Sequence, residues 1–105
     1  MIAPQELETE LRKLPGILDC AIVAVPDPIM GDEIKAAIVA EDGFDLASLR
    51  GSLARVLPAF MLPRYAERVT QIPRTETEKI IRRELEYLDQ RVVDLKPAAS
   101  AGMPV

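Results

Sequence analysis

The sequence predicts an α+β domain: a small mixed three-stranded sheet, made of an antiparallel hairpin plus one crossover strand, packed by about three helices. Three observations carry this. Residues 17–25 form a mostly apolar, β-branched run, Ile-Leu-Asp-Cys-Ala-Ile-Val-Ala-Val, as expected of a strand buried on both faces. A second run at 34–40 comes after about eight residues, a link most simply read as an antiparallel return. A helical pattern at 45–57 then separates the second run from a third at 66–72. Strand, helix and strand in that order make a crossover unit, which sets the third strand parallel to its neighbour.

Each element has its own local signal. Pro4 suits the first turn of a helix, Glu6, Glu8 and Glu10 lie toward its amino end, and Arg12 and Lys13 close it, as the helix dipole prefers. Leu7, Leu11 and Leu14 form its apolar face, and Pro15-Gly16 ends it. Pro26-Asp27-Pro28 stops the first strand and opens a long hairpin tip that closes with Gly31-Asp32-Glu33. Asp45 is placed to cap the next helix, with Leu46, Leu49, Leu53 and Val56 on one face and Pro58 at its end. Phe60, Met61 and Tyr65 read as core and loop packing. Residues 96–105 lack periodicity and are rich in small residues and proline, so a disordered tail is expected after a domain spanning 1–95.

Composition narrows the chemistry. The chain of 105 residues has no histidine and a single cysteine, Cys20, so a histidine base and an internal disulfide are excluded and a transition-metal site lacks imidazole ligands and has one thiol at most. No metal site is expected. A reduced, cytoplasmic setting fits best, and no apolar stretch approaches the ~20 residues of a membrane span. Net charge is −4 but unevenly spread: residues 1–62 carry 5 basic and 10 acidic side chains, residues 64–83 carry 6 and 3. The basic stretch can face phosphates. Nucleic acid is not the expected partner, because no aromatic side chains interleave the arginines and the whole chain is acidic.

Chemistry concentrates at Pro73-Arg74-Thr75-Glu76-Thr77-Glu78-Lys79-Ile80-Ile81-Arg82-Arg83-Glu84-Leu85. Thr75 with Glu78 is spaced as a capping box, which predicts a helix starting near Thr75 or Thr77 and carrying Ile80, Ile81, Leu85 and Leu88. Lys79, Arg82 and Arg83 would then crowd the positive end of that helix, the kind of local conflict expected where function overrides stability. An isolated Thr-x-x-Lys is otherwise an ordinary exposed lysine near a helix start.

At these residues the chain resembles the carboxy-terminal domain of the adenylate-forming enzymes, the superfamily of acyl-CoA synthetases, peptide-synthetase adenylation domains and luciferases. That family carries a Pro-Arg/Leu-Thr-x-x-Gly-Lys-hydrophobic loop. Lys79 matches its lysine, and Glu78 stands where the family has glycine. Three further stretches resemble the family in the same order: Pro4, Glu6 and Glu8; Pro26-Asp27 with Gly31-Asp32-Glu33; and Leu57, Phe60, Met61, Pro63 and Tyr65.

The resemblance implies a mobile lid that is inactive alone. Lys79 would be its catalytic residue, contacting substrate carboxylate and ATP α-phosphate, with Pro73, Arg74, Thr75, Thr77 and Glu78 forming the nucleotide-proximal loop. Pro26, Asp27, Gly31 and Glu33 would face the thiol acceptor. ATP and Mg would be bound mainly by an amino-terminal adenylation domain not contained in this chain, with a carboxylic acid and CoA as co-substrates. CoA is preferred over a carrier-protein thiol because Lys79-Ile80-Ile81-Arg82-Arg83 is closer to the synthetase ending than to the Lys-hydrophobic-Asp-Arg of peptide synthetases. The alternative from another class is a free-standing, non-enzymatic module that docks in trans on a nucleotide-binding partner.

Overall fold

The computed structural model describes residues 4–27 and 31–95; the expected disordered tail at 96–105 lies outside them. Helix α1 (Pro4–Arg12) leads into strands β1 (Ile17–Asp27) and β2 (Gly31–Ala40). A short helix α2 (Leu49–Leu53) comes next, and then strands β3 (Tyr65–Arg68) and β4 (Val93–Asp94). The sheet runs β1-β2-β3-β4, with β2 and β3 parallel and the other neighbours antiparallel. The hairpin and the crossover strand are as the sequence predicts. The fourth strand is two residues long, too short to leave a periodic signal, and the described residues form two α-helices where about three are expected.

Both faces of β1 carry buried side chains, which is why its sequence is mostly apolar. Cys20 and Ile22 pack with Ala36, Ile38 and Ala66 under α1 and α2, whose Leu7, Leu11, Leu49 and Leu53 are fully buried. Burying each such leucine contributes roughly 1.5–3 kcal/mol. The alternate residues Ala21, Val23 and Val25 face the opposite side with Ala37, where Ile72 and Leu85 cover them. No α-helix among the described residues does this; a segment, 69–87, that is irregular but for a 3₁₀ turn at Arg82–Leu85 lies across the sheet instead. Between α1 and β1 the chain turns at Gly16, whose φ of +91° and whose near contact with the Phe44 ring leave no room for a side chain.

Several predicted boundaries shift, each for a visible reason. The hairpin tip is shorter than 26–33, because β1 and β2 pair as far as Asp27 and Gly31. Pro26 is compatible with this since β1 is an edge strand. Asp45 does cap, its Oδ1 accepting the Ala47 amide at 3.0 Å, but a 3₁₀ turn comes first and α2 closes at Leu53. Gly51 weakens this helix, and Val56 ends up 62% exposed instead of on its apolar face. Phe60, expected to pack, is 71% exposed, while Met61 and Tyr65 are half-buried. Strand β3 stops at Arg68 rather than 72 because its guanidinium binds the carbonyls of Ala40, Glu41 and Phe44, closing off the end of β2 with a side chain.

One buried ion pair holds the irregular layer down. Lys35, fully buried on β2, donates to the carbonyls of Leu85 at 2.8 Å and Tyr87 at 2.9 Å and lies 3.6 Å from the centre of the Tyr87 ring. Its ammonium is also 3.0 Å from Glu67 Oε1. That oxygen accepts no hydrogen bond, so the contact is Coulombic and the directed bonds go to the two carbonyls. Burial, together with the Glu67 carboxylate, pushes the Tyr87 hydroxyl up to about 12.

Candidate functional site

The predicted helix after Thr75 does not form. Arg74 and Ile80 pair as an antiparallel bridge, and the chain between them is a tight loop. Thr75 donates its amide to the Lys79 carbonyl at 2.9 Å, and the Glu78 amide donates to the Thr75 carbonyl at 2.9 Å. The Thr75 hydroxyl accepts an amide, as a cap would, but from Lys79 at 3.2 Å and within a hairpin. A three-residue hairpin loop of this kind needs a left-handed residue at its third position. Glu78 occupies that position with φ +68°, and among the described residues it is the non-glycine residue with positive φ. Glu78 is therefore a left-handed hairpin residue and not the helical member of a capping box that the spacing predicts. The conflict of Lys79, Arg82 and Arg83 with a helix dipole disappears along with the helix.

Extended backbone wins because the apolar residues have partners only that way. Ile72 and Leu85 bury against β1 and β2, with Ile80 packed beside them. Beyond Ile81 the chain makes a single 3₁₀ turn, Arg82–Leu85, and Leu88, expected on the helix face, is exposed.

Lys79 itself is exposed, as are Thr75, Glu76, Thr77 and Glu78, while Pro73 and Arg74 are half-buried. Among the described residues no carboxylate pairs with the Lys79 ammonium. Its basic neighbours are otherwise engaged. Arg74 forks onto Asp19 at 2.6 and 3.1 Å, and Arg82 donates to Glu8 Oε2 at 2.7 Å and to the Ile22 carbonyl at 2.6 Å. Arg64 pairs with Asp94 at 3.1 Å, and Arg68 is held by carbonyls at and beyond the end of β2. Among the described residues of the basic stretch, Lys79 and Arg83 are the exposed cations whose side chains make no hydrogen bond or ion pair, fewer than its composition suggests.

Hydrogen bonding to Arg74 holds the Asp19 carboxyl below its ordinary value and raises the guanidinium in turn. Glu8 is 3% exposed and also accepts the Ile22 amide at 2.7 Å. Glu8 and Arg82 together satisfy both backbone groups of Ile22 on the edge strand, where a neighbouring strand would otherwise sit. The sequence marks Glu8 as a residue of the first helix and of a family-like stretch but gives it no partner, and it marks neither Asp19 nor Lys35. An acid in an amphipathic helix looks solvated until its long-range partner is known.

The second set of predicted residues lies elsewhere. Pro26 pairs with Asp32, Asp27 with Gly31 and Val25 with Glu33, at the far end of the hairpin. Arg74 grips Asp19, eight residues back along β1 from Asp27, a span of about 26 Å at the usual rise of a strand. The lysine loop is anchored toward the start of β1, and the structure does not bring it together with this tip.

An open groove of about 700 Å³ lies beside the lysine loop, with Asp19, Arg74, Glu78, Ile81 and Glu84 among its lining residues. Three carboxylates against one arginine do not suit a triphosphate. No group of three or more Cys, His, Asp or Glu among the described residues is arranged to hold a metal ion. No helix among them is long and apolar enough to cross a membrane.

Residues 6–79 match the family model described as the AMP-binding enzyme C-terminal domain. Tyrocidine synthase 3 of Brevibacillus parabrevis is 40% identical over 80 residues, 76% of this chain and 1% of that protein. Sulfoacetate–CoA ligase of Cupriavidus necator is 36% identical over 86 residues, 80% of this chain and 17% of the ligase. Among solved structures, an acyl-CoA synthetase of Brucella canis superposes with a TM-score of 0.74 at 33% identity, covering 81% of this chain and 17% of that one. The chain therefore spans less than a fifth of the length of these relatives.

Proposed function

The chain belongs to the AMP-binding enzyme C-terminal domain family, and from that premise we propose that it is the mobile carboxy-terminal lid of an ATP-dependent acyl-CoA synthetase. The observation that carries this is Lys79: it closes the family match, and it is an exposed cation on a tight, hydrogen-bonded loop. Similarity to a named CoA ligase supports CoA as the acceptor.

In this reading the lysine loop enters a site on an amino-terminal adenylation domain, which holds ATP, Mg and the carboxylic acid. The acid-lined groove of this chain fits neither nucleotide nor Mg, so no step is assigned to it. Lys79 brings its ammonium to the charge that develops between carboxylate and α-phosphate, in a closed site where water is excluded. For thioester formation the lid turns and presents its hairpin end, with Pro26, Asp27, Gly31 and Glu33, toward CoA. Two separate ends, the lysine loop anchored at Asp19 and the hairpin tip eight residues along β1, suit two half-reactions that need two poses. The adenylation domain selects the acid, and the enzyme works in the cytoplasm.

The test is Lys79→Ala in the intact enzyme, with each half-reaction followed in single turnover. Loss of one preorganised donor at a developing charge slows the step by on the order of a hundredfold or more. Adenylate formation should fall by that much, while supplied acyl adenylate is converted to acyl-CoA at the parent rate. A fall in both steps makes Lys79 a docking or folding residue, and a fall in neither removes the proposal. Carboxylate-dependent pyrophosphate exchange by the 105-residue chain alone, above a Lys79→Ala control, would also overturn the lid assignment.

A further inference from the structure

We propose that Asp19 and Glu8 are positioning residues for Lys79: through Arg74 and Arg82 they fasten both ends of the lysine loop to the edge of β1 and to α1. The role in catalysis rests on the lid reading, while the fastening itself does not.

Three features carry the inference. The loop has two charged anchors, one on each side of Lys79. Five residues before the lysine, Arg74 makes a two-pronged contact with Asp19 at 2.6 and 3.1 Å; three residues after it, Arg82 meets Glu8 at 2.7 Å. Both carboxylates belong to the first quarter of the chain and are otherwise fixed. Asp19 Oδ1 accepts the Cys20 amide at 2.8 Å, and Glu8 Oε2 accepts the Ile22 amide at 2.7 Å. An arginine bound to such an acceptor has little freedom left, because the fork and the carboxylate fix each other's orientation.

The third feature is the stretch between the anchors. From Thr75 to Lys79 every side chain is exposed, so no apolar packing fixes the lysine. The loop keeps its shape through its own backbone bonds, the Ile81 amide donating to the Pro73 carbonyl at 2.9 Å among them. Its placement relative to the sheet therefore depends on the two ends. A misplacement of a reacting group by about 1 Å costs on the order of a hundredfold in rate. Carboxylates far from Lys79 can thus govern how well it meets a transition state without touching substrate.

The experiment compares Asp19→Asn, Glu8→Gln and the two combined, since both changes keep an oxygen for the β1 amide and remove the charge that holds the arginine. In the 105-residue chain, the amides of Thr75, Glu78, Lys79 and Ile81 should exchange with deuterium about tenfold faster in the combined variant, while β2 amides keep the parent rate. In the intact enzyme the combined variant should slow adenylate formation at least about tenfold, with substrate KM and the thioester step unchanged. Should the combined variant fail to fold, Arg74→Lys, which keeps the charge and loses the fork, carries both comparisons. Loop amides that exchange at the parent rate overturn the fastening. An unaltered adenylation rate, in an enzyme that Lys79→Ala does slow, overturns the positioning role. If Lys79→Ala leaves adenylation unchanged, it is the lid reading that fails, and the exchange measurement still decides the fastening.

Discussion

Replacing Glu78 with glycine should stabilise this domain, against what its sequence suggests. Glu78 sits at φ +68° at the third position of the hairpin loop. An L-residue with a Cβ is disfavoured there by about 1–2 kcal/mol. Glycine removes that strain but gives the unfolded chain more freedom, which offsets about 0.5–1 kcal/mol. The carboxylate is exposed, and its attraction to Arg74 is screened by solvent, so its loss subtracts little. The net is a gain of roughly 0.5–1 kcal/mol, or a rise in Tm of about 2–6 °C for a domain of this size. Thermal unfolding followed by circular dichroism would measure it on Glu78→Gly, Glu78→Asn and Glu78→Ala. The order expected is glycine highest, asparagine next because it tolerates the left-handed region, and alanine no better than glutamate. A Glu78→Gly protein that melts at or below the parent temperature, or alanine matching glycine, refutes the argument from backbone strain. The same variant also removes a negative charge beside Lys79, and adenylate formation in the intact enzyme should quicken.

Lys35→Met should destabilise by about 3–5 kcal/mol in urea titration, because buried Glu67 loses the ammonium at 3.0 Å and keeps only the more exposed Arg91 at 3.7 Å, and two carbonyls lose their donor; Lys35→Met with Glu67→Leu should recover a large part. The Cys20 thiol, pushed up to about 11 by burial, should stay unmodified by a thiol-reactive disulfide at about pH 8 until urea unfolds the chain. For Asp19 the folded-state pKa lies below the ordinary 3.8, so its stabilisation is fully present above that value and is lost as pH falls through the folded pKa. The Tm advantage of the parent over Asp19→Asn should accordingly be constant from about pH 7 to pH 5 and shrink below about pH 4. A difference that persists unchanged at about pH 2.5 would show that the carboxylate charge is not its source.

The sequence alone determined the central hairpin, the crossover strand beside it and the family, because these rest on local signals. A mostly apolar, β-branched run of nine residues argues for a buried strand, a link of about eight residues is most simply an antiparallel return, and Lys79 lies in a motif whose residue types are contiguous. Tertiary structure decided the conformation of the lysine loop. Thr75 and Glu78 have capping-box spacing, and nothing local says that Ile72 and Leu85 will instead lie flat across the second face of the sheet. Nor could local reasoning show that Arg82 would cross 74 positions of sequence to reach Glu8, or Arg74 cross 55 to reach Asp19. A charged side chain reads as solvated in sequence, and only the fold reveals which charges meet. The basic stretch that looked ready for phosphate has most of its arginines bound to the protein itself, and the cation left exposed on the loop is Lys79.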